Sequence, residues 1–115
     1  MEIIRENDID DVSFSFRMKV SLNKFDLIKY FLDTNFKYRI NVKKSFVIVV
    51  INIEKIITPE SIKTLLKDYK IKIKDVDIYI SITSSYDIGG LTVPQSVLNI
   101  IRVIDCDLHF SYVSV

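Results

Sequence analysis

Cysteine and histidine are scarce in this 115-residue sequence, which contains one of each, Cys106 and His109. A single cysteine excludes an internal disulfide and any zinc site built from several cysteines. A free cysteine is most often a small buried apolar side chain, and we expect that role of Cys106. With Asp105 and Asp107 close in sequence, His109 could act as a base or a metal ligand. A solvated or structurally hydrogen-bonded histidine is the favoured interpretation.

Long apolar runs are absent as well. The longest, FVIVVINI at 46–53, is far shorter than the roughly 20 residues that a membrane-spanning helix requires. The opening residues, MEIIRENDIDD, are acidic and lack the apolar stretch of a signal peptide. We therefore expect a cytoplasmic protein.

Glycine and proline occur only twice each, and both glycines fall with Pro94 in the stretch SYDIGGLTVP at 85–94. This stretch matches neither of the glycine patterns that cradle a nucleotide phosphate, G-x-G-x-x-G and G-x-x-x-x-G-K-[ST]. We interpret Gly89 and Gly90 as the turn of a strand-to-helix joint. Tyr86 and Asp87 before them are candidate contact residues, because loops beside rigid elements often carry function. We expect no cofactor.

The rest of the composition is that of a globular domain, with 49% hydrophobic and 27% charged residues and a net charge of +1. The charges are segregated along the chain. Residues 1–11 carry five acidic side chains and one arginine, residues 37–74 carry ten basic and three acidic ones, and residues 75–115 carry five aspartates and one arginine. Such segregation can steer a charged partner, although solvated faces also produce it by chance. We treat 1–115 as a single domain whose acidic segment, 1–11, could be flexible.

Strand periodicity appears at four or five places. The segments VSFSFRMKV at 12–20 and DVDIYISIT at 75–83 alternate strictly between apolar and polar residues, as half-buried strands do. The segment SFVIVVINI at 45–53 is apolar on both faces, which is typical of a central strand. A last strand is predicted at DLHFSYVSV, 107–115, and FKYRINV at 36–42 is either a short strand or an irregular link.

Helical periodicity appears between these strands in three segments. SLNKFDLIKYFLDTN at 21–35 can be capped by Ser21 or Asn23, and TPESIKTLLKDY at 58–69 has Thr58 as N-cap before a proline. In the third segment, TVPQSVLNIIRVID at 92–105, Thr92 and Gln95 have the spacing of a capping box. The expected apolar stripes are Phe25, Leu27, Ile28, Phe31 and Leu32; Ile62, Leu65, Leu66 and Tyr69; and Val97, Ile101 and Ile104.

These elements predict an α+β fold: a two-layer sandwich in which about three helices pack on one face of a mixed or antiparallel sheet of four or five strands. The opposite, open face should present Ser13, Ser15, Arg17, Lys19, Asp75, Asp77, Tyr79, Ser81, His109 and Ser111. Phe46, Ile48 and Val50 would form an apolar strip within that polar face. Either another chain segment or molecule covers this strip, or flanking side chains such as Tyr79, Arg17 and Lys19 shield it.

Two aspartates and a run of lysines are the remaining candidates for chemistry. Asp75 and Asp77 would share a strand face and could bind a metal, but further ligands at a recognisable spacing are missing. A contact to a basic partner is the better interpretation of this pair. The lysine-rich segment KDYKIKIKD, 67–75, contains one tyrosine and fits a solvated connection better than a nucleic-acid surface.

Two resemblances extend this interpretation. The second half of the chain, 57–113, is similar to the end of a widespread bacterial domain family. In that family a glycine–hydrophobic–Ser/Thr motif starts a helix, and an alternating strand follows it. Gly90, Leu91 and Thr92 occupy the motif, and Leu108 and Phe110 lie in the strand. The chain also resembles the small single-domain immunity proteins of bacterial toxin systems, including those of contact-dependent growth inhibition.

The second resemblance implies a function. Such a protein is not an enzyme and binds a cognate toxin, often a nuclease, whose active site it occludes. A nuclease cleft is basic because it holds phosphates, so carboxylates can imitate the charge of the substrate. The residues that we assign to this contact are acidic side chains with two tyrosine anchors: Asp8, Asp10, Asp11, Asp75, Asp77, Tyr79, Tyr86 and Asp87.

Two other classes of function stay open. The chain could be a regulatory or small-molecule-binding module, dimeric through the strip formed by Phe46, Ile48 and Val50. An enzyme is the third option, but the sequence shows no recognisable set of catalytic residues for it. Membranes and nucleic acids are not expected partners, and the oligomeric state is undetermined at this level.

Overall fold

The structure is a computed structural model that describes residues 11–53, 58–84 and 93–114. The strands are β1 (Asp11–Ser21), β2 (Tyr38–Val42), β3 (Phe46–Asn52), β4 (Val76–Ser84) and β5 (Asp107–Ser114). The helices are α1 (Leu22–Asn35), α2 (Pro59–Asp68) and α3 (Gln95–Val103). A short 3₁₀ helix, Ile73–Asp75, leads into β4.

The five strands form one mixed sheet in the order β2-β3-β1-β4-β5. All neighbours pair antiparallel except β4 and β5, which are parallel. A parallel pair requires a crossover connection, and α3 lies within the segment that joins these two strands. This arrangement confirms the predicted α+β class, and it shows that FKYRINV contains a strand rather than an irregular link.

Alternation along the strands separates the two faces of the sheet. In β1 and β4, even-numbered residues point toward the helices, and Phe16, Met18 and Ile78 among them are fully buried in the core. Cross-strand register aligns Phe16 with Ile51 of β3 and Ile78 of β4, so these three strands contribute to one continuous apolar layer. The three helices complete the core with fully buried side chains: Ile28 and Leu32 of α1, Ile62 and Leu65 of α2, and Val97 and Ile100 of α3. The predicted helix-side layer is therefore confirmed.

Two of the three predicted helix starts are correct. The Ser21 hydroxyl accepts a hydrogen bond from the backbone N–H of Lys24 (3.1 Å), and Thr58 Oγ1 accepts one from the backbone N–H of Ser61 (3.3 Å). Both satisfy N–H groups that the first helical turn leaves without a partner.

The predicted capping box of α3 is wrong. Pro94, with an extended ψ of 148°, is the N-cap, and the helix begins at Gln95. A cap at Thr92 would require helical geometry at Val93, which is disfavoured because the ring of the following proline clashes with it. The Gln95 side chain instead donates a hydrogen bond to Asn99 Oδ1 (2.9 Å), one turn further along the helix.

Four side chains differ from their expected positions. Leu27 is exposed because α1 packs on the core through the face that carries Phe25, Ile28 and Leu32, and Leu27 lies outside that face. Ile100 takes the fully buried place in α3 that was expected of Ile101. Ser15 lies on the open face but is buried, because it is a small side chain between Asn52 and Tyr79 of the neighbouring strands. Asp75 belongs to the 3₁₀ helix, where its N–H donates to the Lys72 carbonyl, so the prediction that it shares a strand face with Asp77 is wrong.

Substituting the two leucines of α1 by alanine tests this assignment of the core. Leu32→Ala empties a fully buried site and should lower the free energy of unfolding by about 2–5 kcal/mol. Leu27→Ala is the matched control: it makes the same change on the same helix at a side chain that is 72% exposed. It should stay within about 0.5 kcal/mol of the unmodified protein in urea unfolding. Equal losses at both positions would contradict the orientation of α1.

Candidate functional site

The open face of the sheet carries a cluster of polar side chains from three adjacent strands. β1 supplies Arg17, β4 supplies Asp77 and Tyr79, and β5 supplies His109. The register places Arg17 opposite Asp77, and Tyr79 opposite His109. These residues share a face because each lies between two positions whose side chains point toward the helices. We refer to Arg17, Asp77, Tyr79 and His109 as the polar cluster.

Arg17 and Asp77 form a two-point ion pair across the strands. Arg17 Nε donates to Asp77 Oδ1 at 2.8 Å, and Arg17 Nη2 donates to Asp77 Oδ2 at 2.5 Å. The hydrogen bonds to Asp77 raise the pKa of Arg17, and partial burial opposes that shift. Such paired bonds fix both planes as well as the distance between them. The carboxylate that we assigned to an external partner is therefore engaged by this chain's own arginine.

The same guanidinium holds the tyrosine in place. The central carbon of the Arg17 guanidinium lies 4.1 Å from the centre of the Tyr79 ring, within the range of a cation–π contact. Asp77 fixes Arg17, and Arg17 in turn lies against Tyr79. The partly exposed ring is thus positioned by two neighbouring strands.

His109 lies on the other side of the same carboxylate. Its Nε2 is 3.5 Å from Asp77 Oδ2, and its side chain is 55% exposed. That separation gives electrostatic attraction when the imidazole is protonated, and it is too long for a good hydrogen bond. The sequence placed Asp105 and Asp107 beside His109, but its closest ion-pair partner in the structure comes from β4.

An open depression of about 330 Å³ extends along this cluster. Its charged lining is balanced in sign, with Arg17, Lys19 and Lys74 against Asp75, Asp77 and Asp107, in addition to His109. The depression is therefore a surface of mixed charge, suited to hydrogen-bonding groups of either sign.

The structure brings together some of the sequence-predicted contact residues. Asp75 and Asp77 line the depression, and Tyr79 lies beside it in contact with Arg17. Asp11 begins β1, where it is in register with Thr83 of β4. The remaining predicted residues, Asp8, Asp10, Tyr86 and Asp87, lie outside the described residues.

Sequence reasoning missed the pairing of Arg17 with Asp77 and the place of His109 beside them. Sixty positions separate Arg17 from Asp77, and no local spacing connects them. The available signal was that Arg17 and Asp77 are charged residues at outward-facing positions of alternating strands. Which two strands meet is a property of the strand order, which the alternation does not specify.

The apolar strip formed by Phe46, Ile48 and Val50 is shielded in part by a neighbouring side chain. The Lys19 ammonium lies 4.4 Å from the centre of the Phe46 ring, and Val50 is buried. Phe46 and Ile48 are half-buried. The interpretation in which flanking side chains shield the strip is therefore confirmed for Phe46, with Lys19 as the shield.

Cys106 is partly buried between the end of α3 and the start of β5. Burial raises the pKa of its thiol to about 11, and the charges of Asp77 and Asp107 act in the same direction. Reactive cysteines require a thiolate at neutral pH, so this environment opposes a nucleophilic role for Cys106.

The described ranges contain neither a cluster of metal-ligating side chains nor a membrane-spanning helix. In residues 11–53, 58–84 and 93–114, no group of three or more histidine, cysteine and acidic side chains is arranged to hold a metal ion. Within the same ranges, each helix is too short or too polar to cross a membrane.

Comparison with protein-family models, with curated proteins and with solved structures finds no match to this chain.

A double-mutant cycle tests the coupling between Arg17 and Asp77. Arg17→Met and Asp77→Ala should each lower the free energy of unfolding by about 1–3 kcal/mol, because each leaves a partly buried charge without its partner. The double variant should lose less than the sum of the two. Arg39→Met, on the exposed strand β2, is the control and should change stability by less than about 0.5 kcal/mol. Strictly additive losses would show that the pair contributes nothing.

The thiol of Cys106 gives a pH test of the same region. Because its folded-state pKa is raised from 9.0 to about 11, the stability that the protonated thiol contributes is complete below pH 9. It is lost as the pH rises through about 11. The alkylation rate with iodoacetamide should therefore still be rising at pH 10 in the folded protein. In guanidinium-unfolded protein the rate should level off above pH 9. Identical profiles in the two states would contradict the burial of the thiol.

Proposed function

We propose that this chain is a binding protein that neutralises a cognate bacterial toxin, in the manner of small immunity proteins of contact-dependent growth inhibition systems. The proposal gives it a cytoplasmic location and no catalytic activity of its own. The observation that carries it is the polar cluster on the open sheet face. There a partly exposed tyrosine is held by an arginine, which is itself held by an aspartate.

A tyrosine fixed in this way is suited to anchor a protein–protein contact. Binding costs free energy because exposed side chains lose rotamer freedom, and tyrosine has few rotamers to lose. The contact with Arg17 already restricts Tyr79 before a partner arrives. The ring also lies on a strand rather than a loop, so the backbone beneath it is rigid.

Asp77 has a different role in this proposal from the one that its sequence context indicated. Both of its carboxylate oxygens accept hydrogen bonds from Arg17, so it positions Arg17 and Tyr79 instead of presenting charge to the toxin. Asp107, which is exposed, and Asp75, which is partly exposed, present carboxylates along the same depression.

A nuclease is the proposed class of toxin because its phosphate-binding cleft is basic. The carboxylates of Asp75 and Asp107 would approach that cleft, and we propose that Asp8, Asp10, Asp11 and Asp87 add further negative charge. Complementary charge of this kind mainly accelerates association. Because the charges that line the depression are balanced in sign, we propose that Tyr79 makes the specific contact and that the surrounding aspartates provide the charge steering.

A small-molecule-binding or regulatory module is the second candidate, and the depression favours it. Its volume of about 330 Å³ is at the lower end of the range of about 300–1,000 Å³ for ligand sites. Lys19 and Lys74 would attract an anionic ligand. The experiment below distinguishes the two candidates. A protein partner would extend beyond the depression and contact Tyr79, whereas Tyr79 is not among the residues that line the depression.

The candidate toxin for the test is the carboxyl-terminal domain of the protein whose gene lies immediately upstream of the gene for this chain. Co-expression of the chain should restore growth of cells that produce this domain, and the purified proteins should bind. Tyr79→Ala should weaken binding about 30-fold, as expected for loss of an interface anchor. Tyr30→Ala is the control, because Tyr30 is 82% exposed on α1 in the opposite layer. Absence of binding and of growth protection would overturn the proposal, and so would equal weakening by the two variants.

Charge variants separate steering from anchoring. Asp75→Lys with Asp107→Lys should slow association and reduce its salt dependence, while the dissociation rate changes little. Asp77 is unsuitable for this purpose because its replacement disrupts Arg17 and Tyr79 as well. Unchanged association kinetics would remove the nuclease-cleft part of the proposal and leave the Tyr79 contact standing.

A further inference from the structure

Strand β5 forms one edge of the sheet. It pairs with β4 along Asp77–Ser84, and within the described ranges no strand pairs with its outer side. An edge strand presents backbone N–H and C=O groups that can bind another strand, and proteins usually block such an edge with charges, proline or a covering element.

The apolar side of β5 is left largely uncovered by the helix layer. Leu108, Phe110 and Tyr112 are in register with Ile78, Ile80 and Ile82 of β4, so they point to the helix side of the sheet. The three isoleucines are buried, whereas Leu108 is 42%, Phe110 63% and Tyr112 47% exposed. The core therefore stops at β4, and an apolar row continues beyond it along the edge.

The opposite edge strand, β2, is protected from pairing with its counterpart in another copy. It is only five residues long, and Arg39 lies within it. Lys37 precedes it, and Lys43 and Lys44 follow it. Two such edges would bring like charges together. β5 has no lysine, arginine or proline between positions 107 and 114, so this means of preventing edge pairing is missing there.

We propose that two copies of this chain pair through β5, antiparallel, about a two-fold axis normal to the sheet. Such an axis places one residue opposite itself, and the pattern of β5 favours Phe110 as that residue. Leu108 of each copy then lies opposite Tyr112 of the other on the helix side. His109 lies opposite Ser111 on the open side.

The distribution of charge supports this register, as the matching of apolar side chains does. Asp107 is the acidic residue of β5, and it falls opposite position 113 of the second copy, away from the second Asp107. Between positions 108 and 112, apolar side chains thus meet apolar ones and polar side chains meet polar ones, and the two Asp107 side chains are kept apart. The strand is complementary to itself, as a two-fold interface requires.

The paired sheets form a continuous ten-stranded sheet. Because the axis is normal to the sheet, both helix layers lie on one side, and the open faces of the two copies are contiguous on the other. Pairing of β5 with β2 of another copy would also combine edges, but it would generate an open-ended chain of molecules instead of a closed dimer. The proposal is independent of toxin binding, which requires only the open face.

Cysteine crosslinking tests the predicted register. In a Cys106→Ser background, Phe110→Cys places the two introduced thiols opposite each other. Directly opposed residues of antiparallel strands have Cα atoms about 4.5–5.5 Å apart, within the range that a disulfide spans. Mild oxidation should convert this variant to a covalent dimer. Leu27→Cys in the same background is the control, because Leu27 is at least as exposed as Phe110 but lies on α1, and it should remain uncrosslinked.

Light scattering after size-exclusion chromatography tests the assembly itself. The unmodified chain should elute as a dimer at high concentration. Phe110→Lys should be a monomer, because it places two ammonium groups opposite each other, whereas Leu27→Lys should remain a dimer. Circular dichroism confirms that both variants are folded. A monomer at every concentration would overturn the proposal. It would also be overturned by assemblies larger than a dimer, or by a dimer that forms without crosslinking at position 110.

Discussion

Strand β1 occupies the centre of the sheet, and its alternation organises the layers on both sides of it. β1 pairs with β3 on one side and β4 on the other, so its alternation fixes both faces of the sheet. Phe16 and Met18 are fully buried beneath the helices, and Arg17 between them must therefore point to the open face. A guanidinium at the middle of a sheet has lost part of its hydration, and the side chain that compensates for this loss is the carboxylate directly opposite it, Asp77.

The character of the open face follows from that compensation. Because Asp77 is engaged by Arg17, the pair contributes little net charge to the surface. It contributes order: Arg17 lies against Tyr79, and His109 approaches the same carboxylate. The face is thus a fixed arrangement of an aromatic ring and mixed charges. On the other side of the sheet, the three helices cover the central strands but leave apolar side chains exposed along β5.

Local chemistry made much of the fold predictable. The caps at Ser21 and Thr58 depend on hydrogen bonds between residues three positions apart, and period-two alternation identified β1 and β4. The start of α3 differs from the prediction because Pro94 disfavours helical geometry at Val93, and the spacing of Thr92 and Gln95 does not reveal this restriction. The exposure of Leu27 could not be derived, because the apolar residues of α1 span more than one helical face and the packed sheet selects which of them is buried.

The three helices, four of the five strands, the α+β class and the alternation of faces along β1 and β4 could be read from the sequence, because these depend on interactions between residues close along the chain. Which strands and faces meet depends on the folded core. It placed β4 between β1 and β5, and so gave Asp77 to Arg17 and His109 instead of to an outside partner. It also decided that α1–α3 stop short of the β5 edge. Strand order and helix coverage are set by the packing of the whole core, and that packing is not encoded in any single periodic segment.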